Sequence, residues 1–134
     1  MLRRDFQVLS SARVREARTL LRARLYDGAY HLGGLAIENA LKACIARATQ
    51  RYEFPDRQRA NRAYIHDLED LLRAAGLEPQ LRSADPTVQT AWAKAKDWNI
   101  ESRYHSGKSA IEVTEFLGAI TGRNGVLQWV RRFW

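Results

Sequence analysis

The residues best suited to chemistry in this sequence are ionisable side chains set among apolar neighbours. Glu38 and Lys42 lie four residues apart within the apolar run from Tyr30 to Lys42, and His66 and Arg103-Tyr104-His105 follow later. A glutamate one helical turn before a lysine is the favourable order for an ion pair. Because buried charge needs a partner, we expect Glu38 and Lys42 to face an interior polar pocket shared with Arg103-Tyr104-His105. An ordinary pair on the solvent-exposed surface is the alternative.

The surplus of positive charge lies in the first half of the chain. Residues 1–66 carry 13 basic and 6 acidic side chains, whereas residues 67–134 carry 9 of each. Arg15, Arg18 and Arg22 form one stripe of the first predicted helix, and the planar fork of arginine matches phosphate oxygens. These three are therefore candidate phosphate-binding residues. The alternatives are a role in solubility and a base-composition bias of the gene, since the chain has 18 arginines and 4 lysines.

The bulk properties indicate one soluble domain. A chain of 134 residues is long enough to bury its own core, so we expect a single domain over 1–134. The single cysteine, Cys44, excludes an internal disulfide and lies in an apolar helical run, as expected in a reducing compartment. No signal peptide is evident, and no apolar stretch approaches the roughly 20 residues of a membrane span. We therefore expect a cytoplasmic protein with no membrane association.

Apolar residues recur at spacings of three and four residues, which predicts helices that must position these side chains. The predicted helices cover about 10–25, 29–49, 66–75, 86–97 and 110–133. Asp85-Pro86 and Ser109 are N-terminal signals, and Gly28 and Gly76 are predicted to end helices. The last helix is predicted to continue, locally weakened, through Gly122 and Gly125. With no strand-like pattern, the fold class is all-α, an antiparallel up-and-down bundle of about five helices.

Two further sequence patterns concern the second helix and the connection that follows it. The pair Gly33-Gly34 lowers helix propensity, so it is predicted to permit close approach of another helix or of a ligand. Between 50 and 64 the periodicity fails around Pro55, and we expect a mobile, charged connection there.

Four segments together resemble the HEPN family. They are Ala-Ile-Glu-Asn-Ala-Leu-Lys at 36–42, His66-Asp67-Leu68, the stretch from Trp98 to Tyr104, and the closing aliphatic-aromatic helix. The resemblance covers about residues 10–130 and rests on the order and spacing of these segments. It implies a HEPN-like helical bundle, commonly a homodimer, that binds a nucleotide or RNA. Many members of the family are ribonucleases, toxins or partners of nucleotidyltransferases.

The resemblance also implies a set of site residues. Metal-independent cleavage of RNA needs a base, an acid and a cation beside the phosphate, and histidine and arginine suit these tasks. Arg103 and His105 are the predicted catalytic residues. Glu38, Lys42 and His66 are predicted to line the nucleotide- or RNA-binding site, where Tyr104 could stack on a base. The structural alternatives are a capping or packing role for His66 and a helix-locking role for Arg103-Tyr104.

The sequence departs from the pattern of the ribonuclease members. They share an arginine followed after four to six residues by a histidine, whereas a single residue separates Arg103 from His105. Six residues do separate Arg24 from His31 and Arg59 from His66, but neither pair lies where the family has its motif.

Other function classes fit less well. Paired Glu-x-x-His sequences of a ferritin-like metal bundle are absent, so we expect no metal and no cofactor. A helix-turn-helix DNA reader needs a polar recognition helix after a short turn, and the tight turns here join apolar helices. Membrane-surface binding by the first helix ranks last. The remaining rival is a catalytically inactive interaction module for a nucleotidyltransferase or another protein, which an exposed patch of Trp129, Phe133 and Trp134 would favour.

Overall fold

The chain folds as an all-helical bundle, which confirms the predicted fold class. A computed structural model describes residues 1–50 and 65–134, and no β-strand occurs within these ranges. The α-helices are α1 (Arg3–Arg22), α2 (Tyr26–Gln50), α3 (Leu68–Ala74), α4 (Glu78–Arg82), α5 (Pro86–Ala95), α6 (Ala110–Thr121) and α7 (Val126–Val130). A 3-10 helix, η1 (Ile100–Tyr104), lies between α5 and α6. The predicted charged connection over 50–64 lies outside the described residues.

Helix α2 lies at the centre, as its two apolar sides predict. It contacts α1, α3, η1, α6 and α7, and Ile37 and Leu41 are completely buried on it. Cys44 is also buried, and burial raises the pKa of its thiol to about 12. The thiol is therefore protonated at neutral pH and acts as a small core side chain.

The glycine pair in α2 permits close contacts, as predicted. A Cβ at Gly33 would lie 2.6 Å from Leu117 Cδ2 of α6, and one at Gly34 would lie 1.9 Å from Trp98 Cε2. The neighbours that approach are thus another helix and the indole ring of Trp98. The lack of a side chain at these positions brings α6 and the segment before η1 against the backbone of α2.

The first two helices both begin earlier than predicted. Helix α1 starts at Arg3 instead of Ser10, because the Asp5 carboxylate accepts the Leu2 backbone N–H at 2.8 Å and stabilises the first turn. The prediction that Gly28 forms the following turn is wrong. The turn contains Arg24, whose φ is 63°, and Gly28 lies in the first turn of α2, where a Cβ would be 3.0 Å from Leu20.

The predicted helix-start signals at Asp85 and Ser109 are confirmed, and Asp67 forms a further cap of the same kind. Asp67, Asp85 and Ser109 each accept a backbone N–H with the side chain, at 2.9, 2.8 and 3.1 Å, at the starts of α3, α5 and α6. Gly76, with φ 73°, follows α3 as predicted. The sequence did not predict α4, since its five residues are too few to show a helical period.

The prediction of one long final helix is wrong. Helix α6 ends at Thr121, Gly122 has extended backbone angles (φ −73°, ψ 172°), and α7 starts at Val126. Asn124 has φ 55°, in the left-handed region. A Cβ at Gly122 would lie 2.6 Å from the Gly118 carbonyl oxygen, so the chain uses the absence of a side chain to turn tightly here.

The C-terminal aromatic residues are packed rather than exposed. Trp129 is buried, and Phe133 and Trp134 are half-buried against the core. Arg3 donates a hydrogen bond to the Trp134 carbonyl, which ties the two ends of the described chain together. The exposed patch that would favour an interaction module does not form at these three residues.

Candidate functional site

One face of α2 carries a row of polar side chains. Asp27, His31, Glu38 and Lys42 follow one another at spacings of four, seven and four residues, which places them on the same side of the helix. We call these four residues the polar stripe. Gly34 lies in the gap of this row, where Trp98 packs against it. The stripe therefore faces η1 at one end and the residues before α3 at the other.

Glu38 is buried with a partner at each carboxylate oxygen. Its Oε2 lies 3.3 Å from Lys42 Nζ and its Oε1 lies 2.8 Å from His66 Nδ1. The Glu38 and Lys42 side chains are only 6% and 10% exposed, whereas His66 is 47% exposed. The pair is thus buried and is not on the solvent-exposed surface. His66 forms the solvent-facing side of this polar cluster.

Arg103 does not occupy the position predicted for it beside Glu38 and Lys42. Within η1 the inward-facing residue is Ser102, which is 6% exposed, and Arg103, Tyr104 and His105 are exposed. A 3-10 helix has three residues per turn, so residues next to an inward-facing one point outward. The Arg103 guanidinium lies 4.8 Å from the centre of the Tyr104 ring. The sequence predicted that this segment would supply the partner of Glu38. The residue that contacts Glu38 from outside α2 is His66 instead.

His31 joins α2 to η1 and is the residue of the site that the sequence analysis missed. Its Nδ1 lies 2.8 Å from Ser102 Oγ, and its ring centre lies 6.0 Å from that of Trp98. The four-residue steps from Asp27 to His31 and from Glu38 to Lys42 were the available signal. The six-residue separation of His31 from Arg24 was not informative, because Arg24 lies in the turn before α2.

The surroundings of His31 favour the neutral imidazole. Burial lowers the pKa of His31 below its ordinary value, and the positive charge of nearby Arg103 lowers it further, against the opposing effect of the Glu38 carboxylate. A neutral imidazole carries one ring proton and one free lone pair. The ring therefore can accept a proton at neutral pH, beside a permanent positive charge.

Asp27 holds the chain segment that follows η1. Its two carboxylate oxygens accept the backbone N–H groups of Gly107, at 3.2 Å, and Lys108, at 2.8 Å. The Lys108 ammonium lies 4.2 Å from the centre of the Tyr30 ring and 2.9 Å from Glu112 Oε1. These contacts fasten residues 105–109 to α2 and α6. Arg103, Tyr104 and His105 are thereby presented from a segment that is fixed on both sides.

The arginines of α1 lie apart from the polar stripe. Helix α1 packs on α2 where Ser10 Oγ donates to the Ala36 carbonyl at 2.7 Å. Ala36 lies about 160° around the helix from Glu38, because successive residues turn by about 100°. Arg15 and Arg22 are exposed, and Arg18 lines a cavity between α1 and the turn after α6. The structure thus does not bring these arginines together with Arg103.

Neither metal-site geometry nor a known relative adds to this description. Within the two described ranges, no group of three or more His, Cys, Asp or Glu side chains could hold a metal ion. The helices of the described residues include none with the length and apolarity needed to cross a bilayer. Comparisons of the chain with protein-family models, with curated proteins and with solved structures find no match.

Proposed function

We propose that this is a HEPN-like protein that binds RNA or a nucleotide beside η1 and cleaves RNA without a metal ion. The supporting observation is the hydrogen bond between His31 Nδ1 and Ser102 Oγ, next to the exposed side chains of Arg103 and Tyr104. This arrangement combines a neutral imidazole, a permanent cation and an exposed aromatic ring at the place where α2 meets η1. The ligand class that uses all three is a phosphodiester with an adjoining base.

The proposed reaction is an internal transfer of the phosphodiester. His31 removes the proton of the 2′-hydroxyl, and the 2′-oxygen then attacks the neighbouring phosphorus. The bond from phosphorus to the 5′-oxygen breaks, which leaves a 2′,3′-cyclic phosphate and a 5′-hydroxyl that has gained a proton. Arg103 stabilises the added negative charge on the phosphate oxygens during this step.

His105 is assigned to donation of the proton to the leaving oxygen. Its side chain is exposed, and its backbone N–H donates to the Ser102 carbonyl at 3.1 Å, which holds it at the end of η1. Ser102 is thus connected to both proposed acid–base groups. Glu38, Lys42 and His66 form the polar wall at the other end of the stripe, and Tyr104 supplies a face on which a base can stack.

The test is RNA cleavage by the purified protein in the presence of a metal chelator. We expect His31→Gln, Arg103→Ala and His105→Ala each to lower the cleavage rate by roughly a hundredfold or more, as loss of an acid–base group does. The matched control, Arg82→Ala, removes an exposed arginine of α4 and should leave the rate unchanged. The wild-type rate should fall on the acid side only below pH 6.5, because the pKa of His31 is lowered from that value. Failure of the wild type to cleave RNA, or equal rates for wild type and variants, would contradict the proposed reaction.

Binding is tested separately with a fluorescent oligonucleotide whose 2′-hydroxyls are replaced by hydrogen. Arg103→Ala and Tyr104→Ala should each weaken binding by roughly tenfold, the loss expected for one phosphate contact or one stacked base. Unchanged affinity in both variants would show that η1 is not the binding segment. Weakened binding without any cleavage by the wild type would retain the binding site and remove the reaction.

Three further expectations from the sequence stay predictions. They are the homodimer, the pairing with a nucleotidyltransferase and the cytoplasmic location. Sedimentation velocity of the purified chain measures the first directly, and co-purification with a candidate nucleotidyltransferase measures the second.

A further inference from the structure

A small cavity lies between α1 and the turn that joins α6 to α7. Its volume is about 220 Å³. The buried side chains of Val14 and Leu127 contribute to its lining, together with the arginines Arg18, Arg123 and Arg131. We call it the arginine cavity. It shares no residue with the polar stripe or with η1.

The arginine cavity concentrates positive charge without a nearby negative charge in its lining. Its lining residues include three arginines and no Asp or Glu. Within the described residues none of these three forms an ion pair, and the nearest acidic neighbour of Arg18 along α1, Glu16, accepts a hydrogen bond from Arg13 at 2.7 Å instead. The Arg131 guanidinium lies 5.3 Å from the centre of the Trp134 ring. Positively charged side chains that line one small space repel one another in the absence of an anion. An anion in the cavity would remove that repulsion.

The turn after α6 also supplies a neutral donor. Gln128 Oε1 accepts the Asn124 N–H at 2.6 Å, so the amide group of Gln128 has its oxygen directed at the turn. The Gln128 side chain lines the cavity, and its amide nitrogen carries two N–H donors. The same hydrogen bond fixes the turn that carries Arg123. Gln128 therefore adds a neutral donor side chain to the three arginines of the lining.

We propose that the arginine cavity is a binding site for a phosphate group. Arginine forks match phosphate oxygens in pairs of hydrogen bonds, and charge-assisted bonds of this kind are the stronger ones. The volume of about 220 Å³ is below the roughly 300–1,000 Å³ typical of pockets that enclose a whole small molecule. The site therefore takes the phosphate or diphosphate end of a ligand and leaves the remainder outside. This site is independent of the proposed RNA cleavage, because the two share no residue.

The first experiment measures binding of inorganic pyrophosphate by isothermal titration calorimetry at low ionic strength. We expect Arg123→Ala, Arg131→Ala and Arg18→Ala each to weaken binding by roughly tenfold, as loss of one charge-assisted hydrogen bond implies. The matched control is Arg82→Ala, an exposed arginine of α4 that does not line the cavity. Its affinity should equal that of the wild type. No binding by the wild type at millimolar pyrophosphate, or equal weakening by Arg82→Ala, would overturn the proposal.

A second experiment identifies the source of the phosphate. A short DNA oligonucleotide with a 5′-phosphate is compared with the same oligonucleotide ending in a 5′-hydroxyl, each titrated into wild type and Arg123→Ala. Tighter binding of the phosphorylated form that is lost in Arg123→Ala supports the site and identifies a nucleic-acid end as ligand. Equal binding of both forms, with pyrophosphate binding still lost in Arg123→Ala, supports the site for small phosphorylated compounds.

The proposal stands or falls separately from the reaction at η1. Arg103→Ala should weaken pyrophosphate binding less than Arg123→Ala does, and Arg123→Ala should leave the rate of RNA cleavage at saturating RNA unchanged. A loss of pyrophosphate binding in Arg103→Ala equal to that in Arg123→Ala would overturn the assignment to this cavity. The three arginines are exposed, so thermal denaturation of each variant should resemble that of the wild type.

Discussion

At Glu38 the buried carboxylate is stabilised by two different partners. Lys42, which lies one turn later in α2, donates to one carboxylate oxygen. His66, which precedes α3, contacts the other carboxylate oxygen. Ionised groups lose their hydration when buried, so each needs hydrogen bonds to replace it. The three residues therefore connect α2 to the start of α3 through one polar cluster inside apolar packing.

Removing the positive charge of Lys42 should destabilise the fold. Lys42→Met keeps the aliphatic stem but leaves Glu38 buried with a single partner, and we expect a loss of about 3 kcal/mol in the free energy of unfolding. The control Arg82→Ala disrupts an exposed pair with Glu78, at 4.0 Å, and should cost less than about 0.5 kcal/mol. The double variant Glu38→Leu/Lys42→Met should recover most of the loss. Urea denaturation measures all three, and equal stabilities of Lys42→Met and Arg82→Ala would contradict the role given to the cluster.

The sequence predicted part of this cluster for a clear physical reason. Glu38 and Lys42 are one turn apart within an apolar helix, so their interaction depends only on local geometry. Which distant residue meets them depends on how η1 and the chain before α3 approach α2. Ser102 is the inward-facing residue of η1, and a five-residue helix has no periodicity from which that could be read. His31 was missed because its partner, Ser102, is 71 residues away in the chain.

Among the elements, α2 and η1 are held together by the contact between Gly34 and Trp98. Trp98 is 1% exposed, and its ring occupies the space that a side chain at Gly34 would need. The His31–Ser102 hydrogen bond lies beside this contact, so the position of the site depends on it. The packing of a tryptophan on a glycine thus determines where the exposed Arg103–Tyr104 pair is presented.

A methyl group at position 34 should therefore displace η1. Gly34→Ala puts a Cβ about 1.9 Å from the ring of Trp98, and overpacking of this kind costs roughly 1–3 kcal/mol or more. Gly118→Ala is the matched control, because a Cβ there meets nothing within 4 Å in the middle of α6. Its higher helix propensity should stabilise the protein by up to about 1 kcal/mol. Thermal denaturation with tryptophan fluorescence reports both changes, and a Gly34→Ala variant as stable as the wild type would contradict this packing.

The helix boundaries show where sequence patterns succeed and fail. The caps Asp85 and Ser109 were predicted because a cap uses backbone groups within three residues of the capping side chain. The break between α6 and α7 was not, since buried apolar residues continue across it, from Ile120 at the end of α6 to Val126 and Leu127 at the start of α7. Burial follows the core, and the backbone can turn at Gly122 while keeping the same residues inside.

Across the whole molecule, the positive charge forms at least two separate regions. The arginines of α1 lie on one side of α2, and the polar stripe with Arg103 lies on the other. A net charge of +7 attracts any polyanion from a distance, but only side chains in contact with the reacting phosphate can change the rate of a reaction. Affinity for RNA and turnover of RNA should therefore depend on different arginines.

The salt dependence of RNA binding tests this separation. Replacing both Arg15 and Arg22 by alanine should reduce the slope of log affinity against log salt by up to roughly 1.4, since each contact of a single strand contributes about 0.7. The rate of cleavage at saturating RNA should stay at the wild-type value, whereas Arg103→Ala should lower that rate.

A control with Arg73→Ala and Arg82→Ala removes two exposed arginines that already pair with Glu78, at 2.7 and 4.0 Å, and should change the slope less. Fluorescence anisotropy over a series of salt concentrations measures the slopes. Wild-type binding that does not weaken with salt would show that phosphate contacts do not drive it, and a lowered rate in the Arg15→Ala/Arg22→Ala variant would show that both sides of α2 serve one site.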